Sequence, residues 1–490
     1  MARSRHHPAI HAARYLAAAA SLCLAITGCV AGPNYQRPSV PPPPAAFKEL
    51  PPPNPPNGDW KKAQPSDAAI RGKWWEIYHD PQLNALEDKV AVSNQTLKAA
   101  VAQYQQAREQ IRVARSNYYP TLSAGPSVSR QKTSGNEPSA IRGVTYSTYA
   151  IQGQVSWEPD LWGQVRRTVE QARANAQASA ADLANVELSL RSELALNYFE
   201  LRGLDTQKRL LDNTVNADTD YLKLTQVRFK GGVATDVDVA QAETQLETVK
   251  AQDIDVGVAR AQYEHAIATL IGTPASSFSL DFTPLDLALP AIPAGVPSEL
   301  LERRPDIAGA ERRTDAANAQ IGIAISAYYP NVQLGGSGGF SSDEPGTWIQ
   351  GPSSLWSLGG SAIELLFDAG RRHAITAQAR DAYEAQTANY RQSVLNAFQE
   401  VEDNLAALRV LQDESVTQNR AVDAARRSLQ ISTNRYKGGV TTYLEVLTAQ
   451  TTQLTDERTQ ADIITRQFAA SVQLIKALGG GWDTSQLPRF

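Results

Sequence analysis

The sequence repeats itself at long range, and this duplication constrains the fold more than any other feature. The phrase VRFKGGVAT, which contains Phe229, returns as NRYKGGVTT, which contains Tyr436, 207 positions later. The tripeptide YYP also occurs twice, at a spacing of 210, and a glycine that precedes an arginine pair recurs at a spacing of 207. Three motifs that recur in the same order at nearly the same spacing predict a duplicated structural unit. The period is far too long for a solenoid repeat.

Each copy opens with a pattern that is typical of two β-strands. Apolar residues alternate with Ser, Thr, Asn and Gln over 121–129 and 149–157 in the first copy, and over 331–340 and 356–362 in the second. Strict alternation places successive side chains on opposite faces of a strand. The pattern therefore predicts four strands, each with one apolar and one polar face.

A very long helix follows each strand pair. From Gln164 to Arg228 there is no proline and one glycine, and leucines recur at spacings of three, four and seven. About 65 helical residues span on the order of 100 Å. The KGG phrase suits a helix C-terminus, because glycine tolerates positive φ and lysine is favourable there. Each KGG phrase is therefore predicted to be the tip of a helical hairpin.

The returning helices, about Thr235 to Ile271 and Tyr443 to Leu478, are too short to retrace their partners. Segments from about Leu83 to Asn117 and from Pro297 to Ala327, the latter opened by a Ser298 cap, supply the missing length. The sequence predicts a rod with strands at one end and glycine turns at the other.

The N-terminus is typical of an exported lipoprotein. Arginines precede the apolar run YLAAAASLCLAI, which is followed by Thr27, Gly28 and Cys29. This ending resembles a lipobox, which implies acylation of Cys29; an ordinary signal peptide with an incidental cysteine is the alternative. Val30 after the cysteine favours the outer membrane over the inner in that class. The only other cysteine, Cys23, lies in the segment removed on processing, so the mature chain is expected to hold no disulfide.

These patterns divide the chain into six parts. The predicted organisation is a lipoprotein signal peptide (1–28), a lipid-anchored Pro-rich tether (29–80), a first repeat (81–272) with its tip at 230–233, an equatorial linker (273–296), a second repeat (297–478) with its tip at 437–440, and a C-terminal tail (479–490).

Composition argues against nucleic-acid binding and catalysis. The net charge of −4 comes without a basic stripe, and three of the six histidines lie within the first twelve residues. The others, His79, His265 and His373, stand apart from any metal-ligand or triad spacing. We expect no enzyme, no metal, and no cofactor beyond covalent lipid on Cys29.

The predicted architecture requires more than one chain. Four strands do not close a barrel, and a sheet facing lipid does not leave an open edge. Three chains supply twelve strands, an even number within the range of outer-membrane barrels. The predicted fold class is mainly α with a small β part: a homotrimeric twelve-stranded barrel continued by a periplasmic coiled-coil tunnel. A trimeric lipoprotein that braces the envelope without conducting is the alternative, and a catalytic lipoprotein is a weaker third.

The chain resembles outer-membrane efflux factors, specifically the NodT-like or OprM-like lipoprotein branch related to TolC. The resemblance rests on AGPNYQRP, WWEIYHDPQL, VPSELLERRPDIAGAERR, AYYP, both KGGV tips and IKALGGGW. It implies a trimeric, passive, gated channel in the outer membrane, with helices in the periplasm. Its implied partners are a periplasmic adaptor and an inner-membrane pump of the proton-driven RND type.

The resemblance also implies functional residues at the tips. The residues matching the adaptor-contacting motif are Arg228, Lys230, Gly231, Gly232, Arg435, Lys437, Gly438 and Gly439, with plain helix capping as the alternative role. Leu444 matches a constricting apolar residue, whereas Thr448 and Thr451 stand where the family has Asp and Arg. This departure puts a charged gate at that level in doubt. Asp236, Asp238 and Glu445 remain candidates for an acidic ring, with a solvated helix face as the alternative.

Overall fold

The computed structural model describes residues 30–44, 46–49, 72–136, 142–292 and 300–490. Within these ranges the elements follow one another as α1 (Pro81–Ser93), α2 (Gln95–Ser116), β1 (Thr121–Lys132), β2 (Thr145–Trp157), α3 (Gln164–Lys230), α4 (Asp236–Leu270), α5 (Leu300–Arg303), α6 (Pro305–Ser326), β3 (Asn331–Ser342), β4 (Ser354–Ile363), α7 (Arg371–Lys437) and α8 (Tyr443–Ala477). The chain is mainly α with a small β part, as predicted.

The two long helices, α3 and α7, have 67 residues each and run without interruption to their tips. The shorter helices stack end to end beside them, α4 and α8 toward the tips and the α1–α2 and α5–α6 pairs toward the strands. None of the helices within the described ranges is long and apolar enough to cross a membrane. Apolar side chains pack between the helices, as in the cluster of Leu211 from α3, Val249 and Val256 from α4 and Leu454 from α8.

Two segments predicted as single helices are interrupted. Between α1 and α2, Asn94 adopts an extended conformation because its side chain accepts from Leu97 N and donates to the Leu270 carbonyl at 2.7 Å. Between α5 and α6, Arg304 is extended because a residue before proline is disfavoured in the helical region. The predicted cap, Ser298, lies outside the described residues.

The four strands form one antiparallel sheet in the order β1-β2-β3-β4. The register pairs Leu122 with Val155, Val155 with Gly336, and Gly336 with Leu358, so these side-chain positions share one face. The adjacent row, Ser123, Gln154, Ser337 and Ser357, lies on the other face. The sheet thus has the apolar and polar faces that the alternation predicted.

The largest core cluster lies midway along the rod. The rings of Tyr78, Phe199 and Phe468 pack within 6.0 Å of one another, and Tyr78 hydrogen-bonds Ser471 at 2.7 Å. Trp74 and Trp75 are buried in the same cluster. This aromatic group joins the segment before α1 to the centre of α3 and to the C-terminal third of α8.

The described part of the predicted tether does not hang free. Its residues 30–44 contain no helix or strand, and 48–49 form a turn. The segment is bonded along the body: Tyr35 donates to Glu311 at 2.7 Å, and Arg37 donates to the Tyr390 hydroxyl at 3.0 Å. Farther along, the Glu402 carboxylate accepts from the backbone of 48 and 49. We refer to residues 30–49, in so far as they are described, as the strap.

Candidate functional site at the hairpin tips

Both hairpins end in the same hydrogen-bonded turn. Val233 N donates to the Arg228 carbonyl and Val440 N to the Arg435 carbonyl, each at 2.9 Å, which closes the last helical turn. Gly232 and Gly439 have φ of +74° and +73°, a conformation that favours glycine. Gly231 and Gly438 have negative φ, so only the second glycine of each pair is required by the backbone.

Arg228 connects the two hairpins. From α3 its Nη1 donates to the carbonyls of Tyr436 and Lys437 at 2.9 and 3.2 Å, at the C-terminal end of α7. Its guanidinium carbon lies 4.6 Å from the centroid of the Tyr436 ring. The cation therefore meets two carbonyls at a helix C-terminus, of which that of Tyr436 also accepts from Gly439 N, and an aromatic face.

Two hydroxyl contacts extend this connection along α3. Thr225 and the Tyr436 hydroxyl are 3.1 Å apart, and Tyr221 and Thr433 are 2.8 Å apart. Sequence reasoning missed these residues. The available signal was the exchange of Phe229 for Tyr436 between the copies, which adds a hydroxyl to one tip alone.

The matching arginine of the second tip has a different partner. Arg435 pairs with Glu445 of α8 at 3.4 Å, and both side chains are about half exposed. Lys230 and Lys437 are exposed at the helix ends. The eight predicted tip residues thus lie together at one end of the rod, but Arg228 alone spans the hairpins.

The predicted gate carboxylates have separate environments. Asp238 accepts from Thr235 N at 2.8 Å while its own N–H donates to the Thr235 hydroxyl, which is a capping box at the start of α4. Asp236 is exposed in the same first turn, and Glu445 is paired with Arg435. The structure therefore places two acidic candidates on the first tip and one on the second.

Of the remaining gate candidates, Leu444 and Thr448 line an open groove between α7 and α8, and Thr451 does not. Leu444 is 53% exposed, and the Thr448 and Thr451 hydroxyls donate to carbonyls one turn back, at 2.9 Å each. Because these hydroxyls are satisfied within their own helix, the two threonines present methyl groups, and Glu445 is the charged residue in the groove lining. The groove continues with Ser428 and Ser432 of α7.

A buried carboxylate lies behind the tips, between the two hairpins. Asp218 of α3 is fully buried and accepts a hydrogen bond from the Gln450 amide of α8. Burial raises the pKa of Asp218 to about 6, against the opposing hydrogen bonds from Gln450 and Gln245. Its Oδ2 and the Tyr443 hydroxyl have no hydrogen-bond partner among the described residues. No sequence signal pointed to this group.

The opposite end of the rod receives the strap. Cys29 lies outside the described residues, but Ala31 N donates to the Trp162 carbonyl at 3.0 Å, and Trp162 Nε1 donates to the Pro330 carbonyl at 2.8 Å. Pro330 directly precedes β3. The chain segment after Cys29 is thus fixed at the base of the sheet.

Among the described residues, no group of three or more His, Cys, Asp or Glu side chains could hold a metal ion. The contacts described at the tips are hydrogen bonds, ion pairs and apolar packing. Interactions of these kinds are suited to docking and to opening or closing.

Comparison with known proteins relates this geometry to transport. The family described as outer membrane efflux protein matches residues 86–273 and 296–480. The pyoverdine export outer membrane protein OpmQ of Pseudomonas aeruginosa is 31% identical over 430 residues, which cover 86% of this chain and 90% of the relative. The probable efflux pump outer membrane protein TtgC of Pseudomonas putida is 30% identical over 477 residues, 94% of this chain and 95% of the relative.

Solved structures give the same relationship. The outer-membrane channel OprN superposes with a TM-score of 0.83 at 30% identity, over 93% of this chain and all of that one. The open state of the Neisseria gonorrhoeae MtrE outer membrane channel gives a TM-score of 0.80 at 29% identity, over 92% and 98% of the two chains.

Proposed function

The chain belongs to the outer membrane efflux protein family and is an outer-membrane component of an efflux system, and we propose that three copies form a passive channel gated at the hairpin tips. The main support for this assembly comes from the sheet, because its edge strands β1 and β4 have no partner strand on their outer sides among the described residues. Hydrocarbon does not tolerate unpaired backbone groups. Pairing β4 of one copy with β1 of the next closes a barrel of twelve strands.

The dimensions of the sheet support this assembly. Its strands have 10 to 13 residues, and a tilted membrane-spanning strand needs about 9–11. The apolar face that carries Leu122, Val155 and Leu358 suits lipid, and the serine-rich opposite face suits a water-filled lumen. A soluble envelope brace has no use for such a sheet.

Exposed apolar side chains on the helices support packing between copies. They occur on α2 and α4, at one side of the rod, and on α7 at the other, and include Val113, Ile254, Val258, Leu395, Val416 and Ile431. Side chains of this kind along a rod indicate a partner surface. In the proposed trimer, α7 of one copy packs beside α2 and α4 of its neighbour.

We assign covalent lipid to Cys29 and a periplasmic position to the helices. The strap supports this placement, because Ala31 is bonded at the base of the sheet, where a membrane-embedded barrel meets the periplasm. Acyl chains there insert directly into the adjacent leaflet. Two or more chains anchor durably, whereas one binds reversibly.

We assign the tips to an adaptor that leads to an inner-membrane pump of the proton-driven type. The tips support docking because Val227 and Val233 are each 67% exposed beside Lys230, and Val440 is 70% exposed beside Lys437. This combination of exposed apolar and cationic groups suits a partner helix with apolar and acidic residues. Arg228 and Tyr436 supply the contact that must change when the hairpins separate.

The proposal is tested by isolating the protein from outer membranes, determining the mass of the intact oligomer and recording single-channel conductance. We expect a trimer of small conductance that rises when the inter-hairpin contact of Arg228 is removed. A trimer that conducts neither as wild type nor as Arg228→Ala favours the envelope brace, and a monomer contradicts the barrel.

A further inference from the structure

The apolar face of the sheet contains a groove at its helix end. Its walls are formed by Leu122, Val155, Trp157, Leu334 and Leu358, and Pro120 lies at its lower limit. No charged side chain lines it. Its lining includes the Ser337 hydroxyl and the Trp157 indole N–H, which are already bonded to Ser357 and to the Tyr118 carbonyl. A lipid-facing surface of this kind therefore accepts a hydrocarbon chain.

Glycines create the groove. Gly336 and Gly338 of β3 lie on this face, as does Gly153 of β2, to which Gly338 is paired. A Cβ at Gly338 would meet its nearest neighbours, Leu355 O and Trp356 Cβ, at 3.9 and 4.0 Å, so the position has room for a side chain. The backbone conformation of Gly338 is that of an ordinary strand, and it does not account for the glycine.

The groove is long enough to enter one leaflet. It runs along β2 from Trp157 to Gly153, four residues, or about 14 Å at ~3.4 Å per residue. A strand tilted by about 45° carries this length about 10 Å along the membrane normal, and half of a bilayer's ~30 Å hydrocarbon core is about 15 Å. The groove therefore extends from the sheet base through about two thirds of the leaflet that faces the periplasm.

The N-terminal end of the strap lies near the helix end of the sheet, where the groove begins. Ala31 is bonded to Trp162, and Trp162 is bonded to Pro330, four residues before the groove residue Leu334. A Cβ added at Gly163 would lie 2.9 Å from a Val30 methyl, which shows how closely Val30 packs at this point. One residue more reaches Cys29, since consecutive Cα atoms are ~3.8 Å apart.

We propose that an acyl chain attached to Cys29 lies in the groove lined by Leu334 and Leu358 on the outer face of its own sheet. This inference rests on the proposed lipid attachment. It adds a defined intramolecular lipid site, in place of acyl chains that mix freely with the surrounding leaflet. Burial of successive methylenes against the sheet holds the chain at the barrel wall.

The test is photo-crosslinking in the intact outer-membrane trimer. Cells are grown with a fatty acid that carries a terminal diazirine, the protein is irradiated in the membrane, and adducts are mapped by peptide mass. We expect intramolecular adducts concentrated on peptides of β3 and β4. Adducts with bulk lipid alone, from a chain that does carry the acyl label, overturn the groove while leaving lipidation intact.

A matched pair of glycine variants sharpens the result. Gly338→Leu fills the groove, whereas Gly359→Leu adds the same side chain to the polar face, where nothing lies within 4 Å. Excluding about two methylenes predicts about tenfold fewer β3–β4 adducts in the first variant and no change in the second. Equal loss in both contradicts the site. If Gly338→Leu does not assemble, the wild-type adduct map decides, and absence of any acyl label refutes lipidation and the site together.

Discussion

Arg228 in the first hairpin donates to the backbone carbonyl of Tyr436 in the second at 2.9 Å, and the second hairpin does not return this contact. Its own arginine, Arg435, turns to Glu445 within the same hairpin. The duplicated tips are thus alike in backbone and different in side-chain partners. Among the arginines and lysines of the two tips, Arg228 is the one that joins the hairpins, beside the hydroxyl contacts of Tyr221 and Thr225, and this asymmetry leads to the first prediction.

Arg228→Ala is expected to loosen the hairpins and raise conductance. The change removes hydrogen bonds from a charged donor, worth about 1.5–3 kcal/mol, together with a cation–π contact worth about 0.5–2 kcal/mol. Arg435→Ala is the matched control, because its half-exposed ion pair is worth about 0–1 kcal/mol. Single-channel recording compares the two, and equal effects rule out a special role for the inter-hairpin contact.

The second glycine of each tip is expected to be more sensitive than the first. Gly232→Ala forces alanine to a φ of +74°, which costs about 1–2 kcal/mol, whereas Gly231→Ala accepts a negative φ without strain. The same order is expected for Gly439 and Gly438. Hydrogen exchange of the tip amides measures the difference. Equal protection in the Gly231 and Gly232 variants would show that the turn does not depend on its left-handed residue.

The contact between α3 and α8 is expected to weaken as the pH rises. The pKa of Asp218 is raised to about 6 by burial, from 3.8, so the packed hairpins favour the protonated form. The stabilisation is fully present below about pH 4 and is lost as pH rises through about 6. A shift of about two pKa units corresponds to at most about 3 kcal/mol of stabilisation of the α3–α8 contact by the protonated form. Hydrogen exchange near Gln450, measured from pH 4 to 8, follows this change.

Two variants isolate the carboxyl group in this measurement. Asp218→Asn keeps the shape and stays neutral, so its protection is expected to be independent of pH. Asp220→Asn changes an exposed aspartate two residues away, paired with Lys223 at 3.3 Å, and is expected to retain the wild-type pH profile. A flat wild-type profile, or one that survives in Asp218→Asn, assigns the titration elsewhere.

Local and repeated features of this fold were predictable from the sequence, and pairings between hairpins were not. Proline-free spacing gave the extent of α3 to within two residues, and alternation gave both faces of the sheet. The interruption between α5 and α6 was also predictable. Pro305 disfavours the helical conformation at the residue before it, Arg304, and this effect outweighs the helical periodicity.

The contacts of Asp218 and Arg228 had no such local signal. Their partners Gln450 and Tyr436 are 232 and 208 positions away, and helix period shows which face is apolar but not which polar residues meet across a packed pair. In the sequence, an aspartate among apolar seam residues, such as Asp218, can lie on a solvent-exposed helix face or be buried, and the pattern does not distinguish the two. The strap likewise has a Pro-rich composition that predicts extension, while its bonds to Glu311 and Tyr390 depend on the assembled body.

Close backbone contact with α6 is expected to hold the strap on the body. A Cβ at Gly32 would lie 2.5 Å from the Gly322 Cα, and one at Gly322 would lie 2.9 Å from the Ala31 carbonyl oxygen. The same Cβ would lie 2.8 Å from the side chain of Arg167, which donates to the Ala31 and Gly32 carbonyls. Gly322→Leu therefore displaces the strap and Arg167 together and exposes residues 30–49 to proteinase K, with cleavage mapped by mass. Gly257→Leu, on α4 where nothing lies within 4 Å, is expected to leave the strap protected.

Continued protection in Gly322→Leu would mean that the contacts of Tyr35 and Arg37 suffice without the glycine pair. Accelerated cleavage in both variants would indicate general loosening of the helices, and cleavage in Gly322→Leu alone ties the strap to this one point of close approach.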